Sequence, residues 1–229
     1  MNILLKNTLD AFIGGVAYWA IGWALAFGEG GQFMTGGSGY FNYKLDYDQY
    51  PSWFFSFVFA ATAATIVSGA IAERCQFLAY FIYSMLITGW VYPPVSHWAW
   101  DTDGWLSQTG YFLDFAGSGV VHLLGANCAL VGRERETDFT RSDLTALPHC
   151  SGCYLIGPRK GRFTESGKVV SFPGHSVPLT ALGAFILILG FLAFNGGSQG
   201  SITEEGDADT VAMAIVNTIL GESDCHTHY

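Results

Sequence analysis

Five stretches of this chain carry no charged side chain for about the length of a membrane crossing. They run over 11–28, 53–72, 76–95, 115–132 and 177–195. A helix needs about 20 apolar residues to cross the hydrocarbon of a bilayer. In lipid only helices and closed barrels satisfy every backbone group. Runs this long therefore predict an all-α, polytopic membrane protein. A sixth run, 211–220, stops after about half a crossing, and the polar tail 221–229 cannot complete it. Composition agrees: 50% of residues are hydrophobic and 13% charged, about half the charge of a soluble domain. The chain opens without the pattern of a signal peptide. A net charge of −9 excludes the basic stripe that nucleic acid requires.

Lys and Arg orient the spans. With the N-terminus on side one, alternation puts Lys6, Arg74, Arg133, Arg135, Arg141, Arg159, Lys160, Arg162 and Lys168 on that side, and only Lys44 on side two. Side one is expected to be cytoplasmic. Side two is acidic, with Glu29, Asp46, Asp48, Asp101, Asp103, Asp114, Glu204, Glu205, Asp207 and Asp209. Such a face concentrates cations at a pore mouth, or simply reflects positive charge kept inside.

One segment breaks the pattern. After "CALVG" come the charged, aperiodic residues 133–152, "RERETDFTRSDLTALPHCSG", and then "CYLIGPRKGRF". Without those residues the run reads as a helix with a basic cytoplasmic stop. They are expected to be an insertion, the alternative being a genuine cytoplasmic loop. Cys150 and Cys153 form a lone CxxC with His149 before it. A structural zinc site needs a second ligand pair. Cys225, His226 and His228 would supply one only through a long contact, so neither metal nor cofactor is expected.

Candidate functional residues lie in the spans. His122 falls eight residues after Asp114 in "DFAGSGVVHLLGANC", about 12 Å along a regular helix. An ionisable group at that depth is a functional candidate, although a neutral histidine bonded to a neighbouring helix is the plainer reading. Asp114 reads as a helix cap. Phe55 and Phe59, four apart, stack on one helix face. Phe194 and Ser198 repeat the spacing with a ring and a hydroxyl. Trp100 ends the third run, placed for a cation–π contact. Packing for the Phe residues and interfacial anchoring for Trp100 are the plainer readings. A haem or metal enzyme using His122 would need a second inward histidine, and neither His97 nor His175 is clearly placed to be one.

The segments "WALAFGEG", "SGAIAERCQF", "DFAGSGVVHLLGANCALVG", "GPRKGRF", "GFLAFNGGSQG" and "AIVNT" together resemble the ammonium transporter family (Amt/Mep/Rh), most closely its animal Amt-type members. The resemblance implies an eleven-helix inverted-repeat transporter fold, assembled as a homotrimer with one pore per protomer. On that pattern the chain is similar to helices two to six and half of helix seven, and so reads as a fragment. The resemblance implies a non-enzymatic transporter of the plasma membrane whose substrate is ammonium or ammonia. Trp100 and Ser198, with Phe55, would recruit ammonium at the outer mouth. Phe59 and Phe194 would form the gate. Asp114 would support the cation site structurally, and His122 would be the first of two pore histidines relaying a proton. The second histidine has no counterpart here, and His226 and His228 match no family motif. The competing expectation is a non-conducting, truncated or regulatory form that joins full-length subunits.

Overall fold

The computed structural model describes residues 2–30, 34–72, 75–130 and 160–226. The expected insertion 133–152, with Cys150 and Cys153, lies outside the described residues. The described residues are organised in two compact units, Met1–Arg162 and Phe163–Tyr229.

In the first unit, α1 (Asn2–Ala17) passes through a π-helical turn, Tyr18–Gly22, into α2 (Trp23–Phe27). The continuous apolar helix Ile3–Phe27 is about 37 Å long at 1.5 Å per residue, enough to cross a bilayer. The second long helix, α3 (Tyr50–Ile71), starts with Pro51 in its first turn, where the missing N–H costs nothing. The third begins as α4 (Phe77–Leu86), widens into a π turn at Ile87–Val91 and continues as α5 (Tyr92–Trp100). Two consecutive prolines, Pro93 and Pro94, predict a helix end near Val95, but the helix runs on to Trp100. The π turn is the reason. Tyr92 N–H bonds to Ile87 O, five residues back, so the ladder is already loosened where the prolines lack N–H groups. A short helix, α6 (Trp105–Thr109), follows. Then come a π-helical turn, Ser118–Leu123, and α7 (Leu124–Leu130).

α1 packs on α3 and α4, α2 on α5, and α3 on α7. The first two π turns meet each other where small residues allow close approach. A Cβ at Gly22 would lie 2.8 Å from Thr88 O, and one at Gly89 3.3 Å from Ala17 Cβ. The core beneath holds Tyr18, Ala60, Ala63, Ala64, Tyr92, Val120 and Val121.

The second unit is a helical pair, α8 (Val177–Gly197) and α9 (Asp207–His226), in contact along their lengths. Ser176 caps α8, its Oγ accepting from Leu179 N–H at 3.4 Å. Asn195 donates to Thr218 Oγ1 at 2.9 Å. The link between the helices is tied by Asp207, which accepts from Gln199 Nε2 at 2.8 Å and Glu204 N–H at 3.1 Å. These bonds, with the Ser201 hydroxyl first among them, hold the Asp207 carboxyl below its ordinary value of 3.8. The rest of α8 is an exposed apolar surface, with Phe185 and Leu189 about two-thirds accessible, as a lipid-facing or partner-facing helix requires. Four helices among the described residues are long and apolar enough to cross a membrane: Ile3–Phe27, Tyr47–Ile71, Phe77–Thr109 and Val177–Gly197. Where a fourth crossing over 115–132 is expected, the described helix runs from Ser118 to Leu130, and the residues from 131 on lie outside the described part.

Candidate functional site

The site is organised by Asp114. Its Oδ1 accepts from Gly117 N–H at 2.6 Å and Ser118 N–H at 3.0 Å. Its Oδ2 accepts from Gly119 N–H at 2.9 Å and Val120 N–H at 2.8 Å. The first turn of a helix has no internal partners for its N–H groups, and one carboxylate here serves four of them. The cap is larger than a single Asp at a helix start predicts, and it moves the helix. A regular helix from Phe115 is replaced by a turn at 114–117 and a π turn from Ser118. Gly117 makes the turn, with φ at +92°, and a Cβ there would meet Val121 Cγ2 at 2.6 Å. Both facts exclude a larger residue.

Trp100, the last residue of α5, donates its indole N–H to the Asp114 main-chain carbonyl at 2.8 Å. The bond joins the end of one long helix to the cap of the next. The Trp100 ring meets Phe59 edge-on, with centroids 5.5 Å apart and planes at 88°. Phe59 in turn lies 4.7 Å from Phe55. Phe59 is 3% accessible and Phe55 40%, so the pair runs from the core outward. The structure thus brings together Phe55, Phe59, Trp100 and Asp114, which the sequence picked out separately.

His122 sits in the π turn, half-buried, its Nδ1 3.2 Å from Gly117 O. A carbonyl only accepts, so this bond selects the tautomer with the proton on Nδ1. The backbone approaches closely one turn on. A Cβ at Gly125 would lie 3.0 Å from Ile66 Cβ and 3.1 Å from Ala63 O, which sets α7 tightly against α3.

Phe194 and Ser198 belong to the second unit. Ser198 ends α8 and donates its hydroxyl proton to Phe194 O at 2.9 Å. That leaves the oxygen's lone pairs as acceptors. His175 is exposed. His97 is 1% accessible and bonds Ala26 O through Nδ1 at 2.8 Å, tying α5 to α2. Among the described residues no group of three His, Cys, Asp or Glu side chains is placed to hold a metal.

Two buried ionisable side chains escape a search for uncharged runs, because both stand just before the first run. They are Lys6 and Asp10, 8% and 2% accessible. Their spacing of four on one helix face was the signal available in the sequence.

Comparison with known proteins bears on this arrangement directly. The Ammonium Transporter Family model matches residues 1–136 and 150–223, leaving 137–149 unmatched. A Caenorhabditis elegans protein carrying an ammonium transporter 1 name is 45% identical over 230 residues, covering 96% of this chain and 39% of its own. Ammonium transporter 1 member 3 of Oryza sativa subsp. japonica is 42% identical over 240 residues, covering 97% of this chain and 44% of its own. A solved structure described as a sensor Amt protein superposes with a TM-score of 0.75 at 31% identity, covering 93% of this chain and 49% of that one. The chain thus spans about two-fifths of the length of the curated relatives it matches. The helices, the sequence and the superposition agree on a multi-pass membrane protein: this chain belongs to the Ammonium Transporter Family.

Proposed function

We propose that the chain serves transmembrane ammonium transport, in a homotrimer of the plasma membrane. Ammonium would be recruited at an outer aromatic site, deprotonated, and passed as ammonia through an apolar pore. The logic is energetic. Burying an ammonium ion without partners costs far more than burying neutral ammonia, so a site that strips the proton opens an apolar path. Trp100 would hold the cation over its ring, with Phe55 as a wall and the Ser198 hydroxyl as acceptor. Phe59 and Phe194 would close the gate. Asp114 would act through structure, since its carboxylate is occupied by four N–H groups. His122 would receive the proton, an imidazole being the side chain whose charge changes near neutral pH.

The observation that carries the reading is the Trp100–Asp114–Phe59 cluster. One hydrogen bond fixes the indole, one edge contact fixes its tilt, and the cap that accepts the bond also sets the turn bearing His122. The unmatched 137–149, inside the expected insertion, favours an inserted segment over a family loop.

The test is ammonium uptake in cells lacking their own, with membrane insertion verified. Growth on low ammonium that is lost with Trp100→Leu supports conduction through this site. No uptake from correctly inserted chain overturns conduction by the chain alone. If it then co-purifies with a conducting relative and suppresses uptake, the chain is a regulatory subunit.

A further inference from the structure

Asp10 and Asp114 are both carboxyls of a membrane-embedded unit, and their surroundings are opposite. The Asp114 carboxyl, half-buried, accepts from four N–H donors. Asp10 lies in the cytoplasmic half of α1 by the charge bias, packed among α1, α3 and α4, at 2% accessibility. Its Oδ1 is buried and has no hydrogen-bond partner among the described residues. Its Oδ2 lies 3.3 Å from Thr65 Oγ1. Thr65 has a single hydroxyl hydrogen, and its shorter bond, 2.9 Å, is to Ala61 O.

The other hydroxyls nearby are turned wholly or partly to other acceptors. Ser68 donates to Thr65 O at 2.7 Å and Tyr80 to Asn7 Oδ1 at 3.0 Å, while Ser84, 3.5 Å from the Asp10 main-chain carbonyl, also reaches the carboxyl and divides its single hydrogen between them. Tyr83 meets Tyr80 edge-on with centroids 4.9 Å apart, and among the described residues its hydroxyl makes no hydrogen bond to Asp10. Lys6, one helical turn before Asp10, does not neutralise it through an ion pair. Its ammonium donates to Ala72 O at 3.3 Å and Cys75 O at 2.9 Å, at the end of α3. Among the described residues, the ionisable groups around Asp10 are thus Lys6 on its own helix, Tyr80 and Tyr83 on α4, and Cys75 in the α3–α4 connection. The facing stretch of α3 offers Thr65 and Ser68 only.

An ionised carboxylate in this setting would have only the Thr65 and Ser84 hydroxyls as donors, each shared with a main-chain carbonyl. That is an unpaired charge out of water. A proton on Oδ2 reverses the account: Asp10 becomes the donor to Thr65 Oγ1, whose own hydrogen is already committed to Ala61. We infer that Asp10 is a proton-binding site, a neutral carboxylic acid at pH 7 that donates a hydrogen bond to Thr65, separate from the Trp100–His122 cluster. The bundle then carries Lys6 as the charged group of this layer, held by the carbonyl end of α3, where a cation is favoured. The inference stands whether or not the chain conducts ammonium.

Infrared difference spectroscopy of the full chain in lipid, wild type against Asp10→Asn, tests it. The expected result at pH 7 is a protonated-carboxyl C=O band, shifted slightly in heavy water, that Asp10→Asn removes. A wild type without such a band, or a band that survives the substitution, overturns the inference. If Asp10→Asn does not fold, Thr65→Val replaces it. Losing the acceptor must move the band to higher frequency without abolishing it, and a band unmoved by that change counts equally against the proposal.

Discussion

At the scale of single residues, the chain shows what decides whether a carboxyl can stay charged inside a membrane bundle. Asp114 is placed where a helix start offers unpaired N–H groups, and it takes four of them. Asp114→Ala is expected to lower stability by more than about 2 kcal/mol, since it removes a cap and leaves several donors unmet. Thermal unfolding in detergent measures it, and an unchanged midpoint would mean that water replaces the cap. Trp100→Leu keeps apolar bulk but loses the ring face and the indole N–H. With cation–π contacts worth about 0.5–2 kcal/mol, ammonium affinity should fall by about twofold to thirtyfold, read as a rise in the half-saturating concentration for uptake. Much of this was legible beforehand. An Asp before an apolar run reads as a cap, and an outer Trp as a candidate site. The hydrogen bond from Trp100 to a carbonyl fourteen residues on was not legible, because a backbone acceptor leaves no mark in the sequence. Asp10 was passed over for a related reason: it sits next to the first uncharged run, and only packing shows that three helices close over it.

At the scale of elements, the spans keep their lengths but not their regularity. Pro93 and Pro94 read as a stop, yet a π turn that ends two residues before Pro93 absorbs them, and α5 delivers Trp100 to the site. The contact of α7 with α3 depends on Gly125, whose missing side chain leaves 3.0 Å to Ile66 Cβ. Gly125→Leu should therefore force these helices apart at a cost of about 1–3 kcal/mol or more. Denaturant unfolding would show it, and wild-type stability would mean the interface yields freely. In the α8–α9 pair, Asp207 is held below its ordinary value by the Ser201 hydroxyl, the Glu204 N–H and the Gln199 amide. A depressed carboxyl stabilises above its unfolded value, and that contribution drains away as pH falls through the folded one. The helical pair should thus lose helicity below about pH 3.8, the unfolded value. Asp207→Asn should be less stable at neutral pH and flatter over that acid range. Circular dichroism titration decides, and parallel curves for the two proteins would count against this linkage.

At the scale of the whole molecule, charge is the informative quantity. Nine of the ten Lys and Arg residues fall on one side of the alternating spans and Lys44 alone on the other. A protease site or an impermeant label placed at Lys44 should react from outside the cell, and one placed at Lys168 only after the membrane is opened. The reverse pattern would invert the topology. What the sequence by itself determined is the class: an all-α, multi-pass membrane protein of the ammonium transporter family. Uncharged runs of bilayer length have few alternatives in lipid, and the motifs lie within single segments. Tertiary structure alone decided the state of the polar groups whose partners lie elsewhere in the chain. Asp114 finds its four N–H donors within six residues, but what hydroxyls reach Asp10, and whether Trp100 is pinned, depends on atoms from other segments of the chain. Desolvation makes each such group costly unless those partners arrive. The same residue type is accordingly a capped anion at Asp114 and, by our inference, a neutral acid at Asp10.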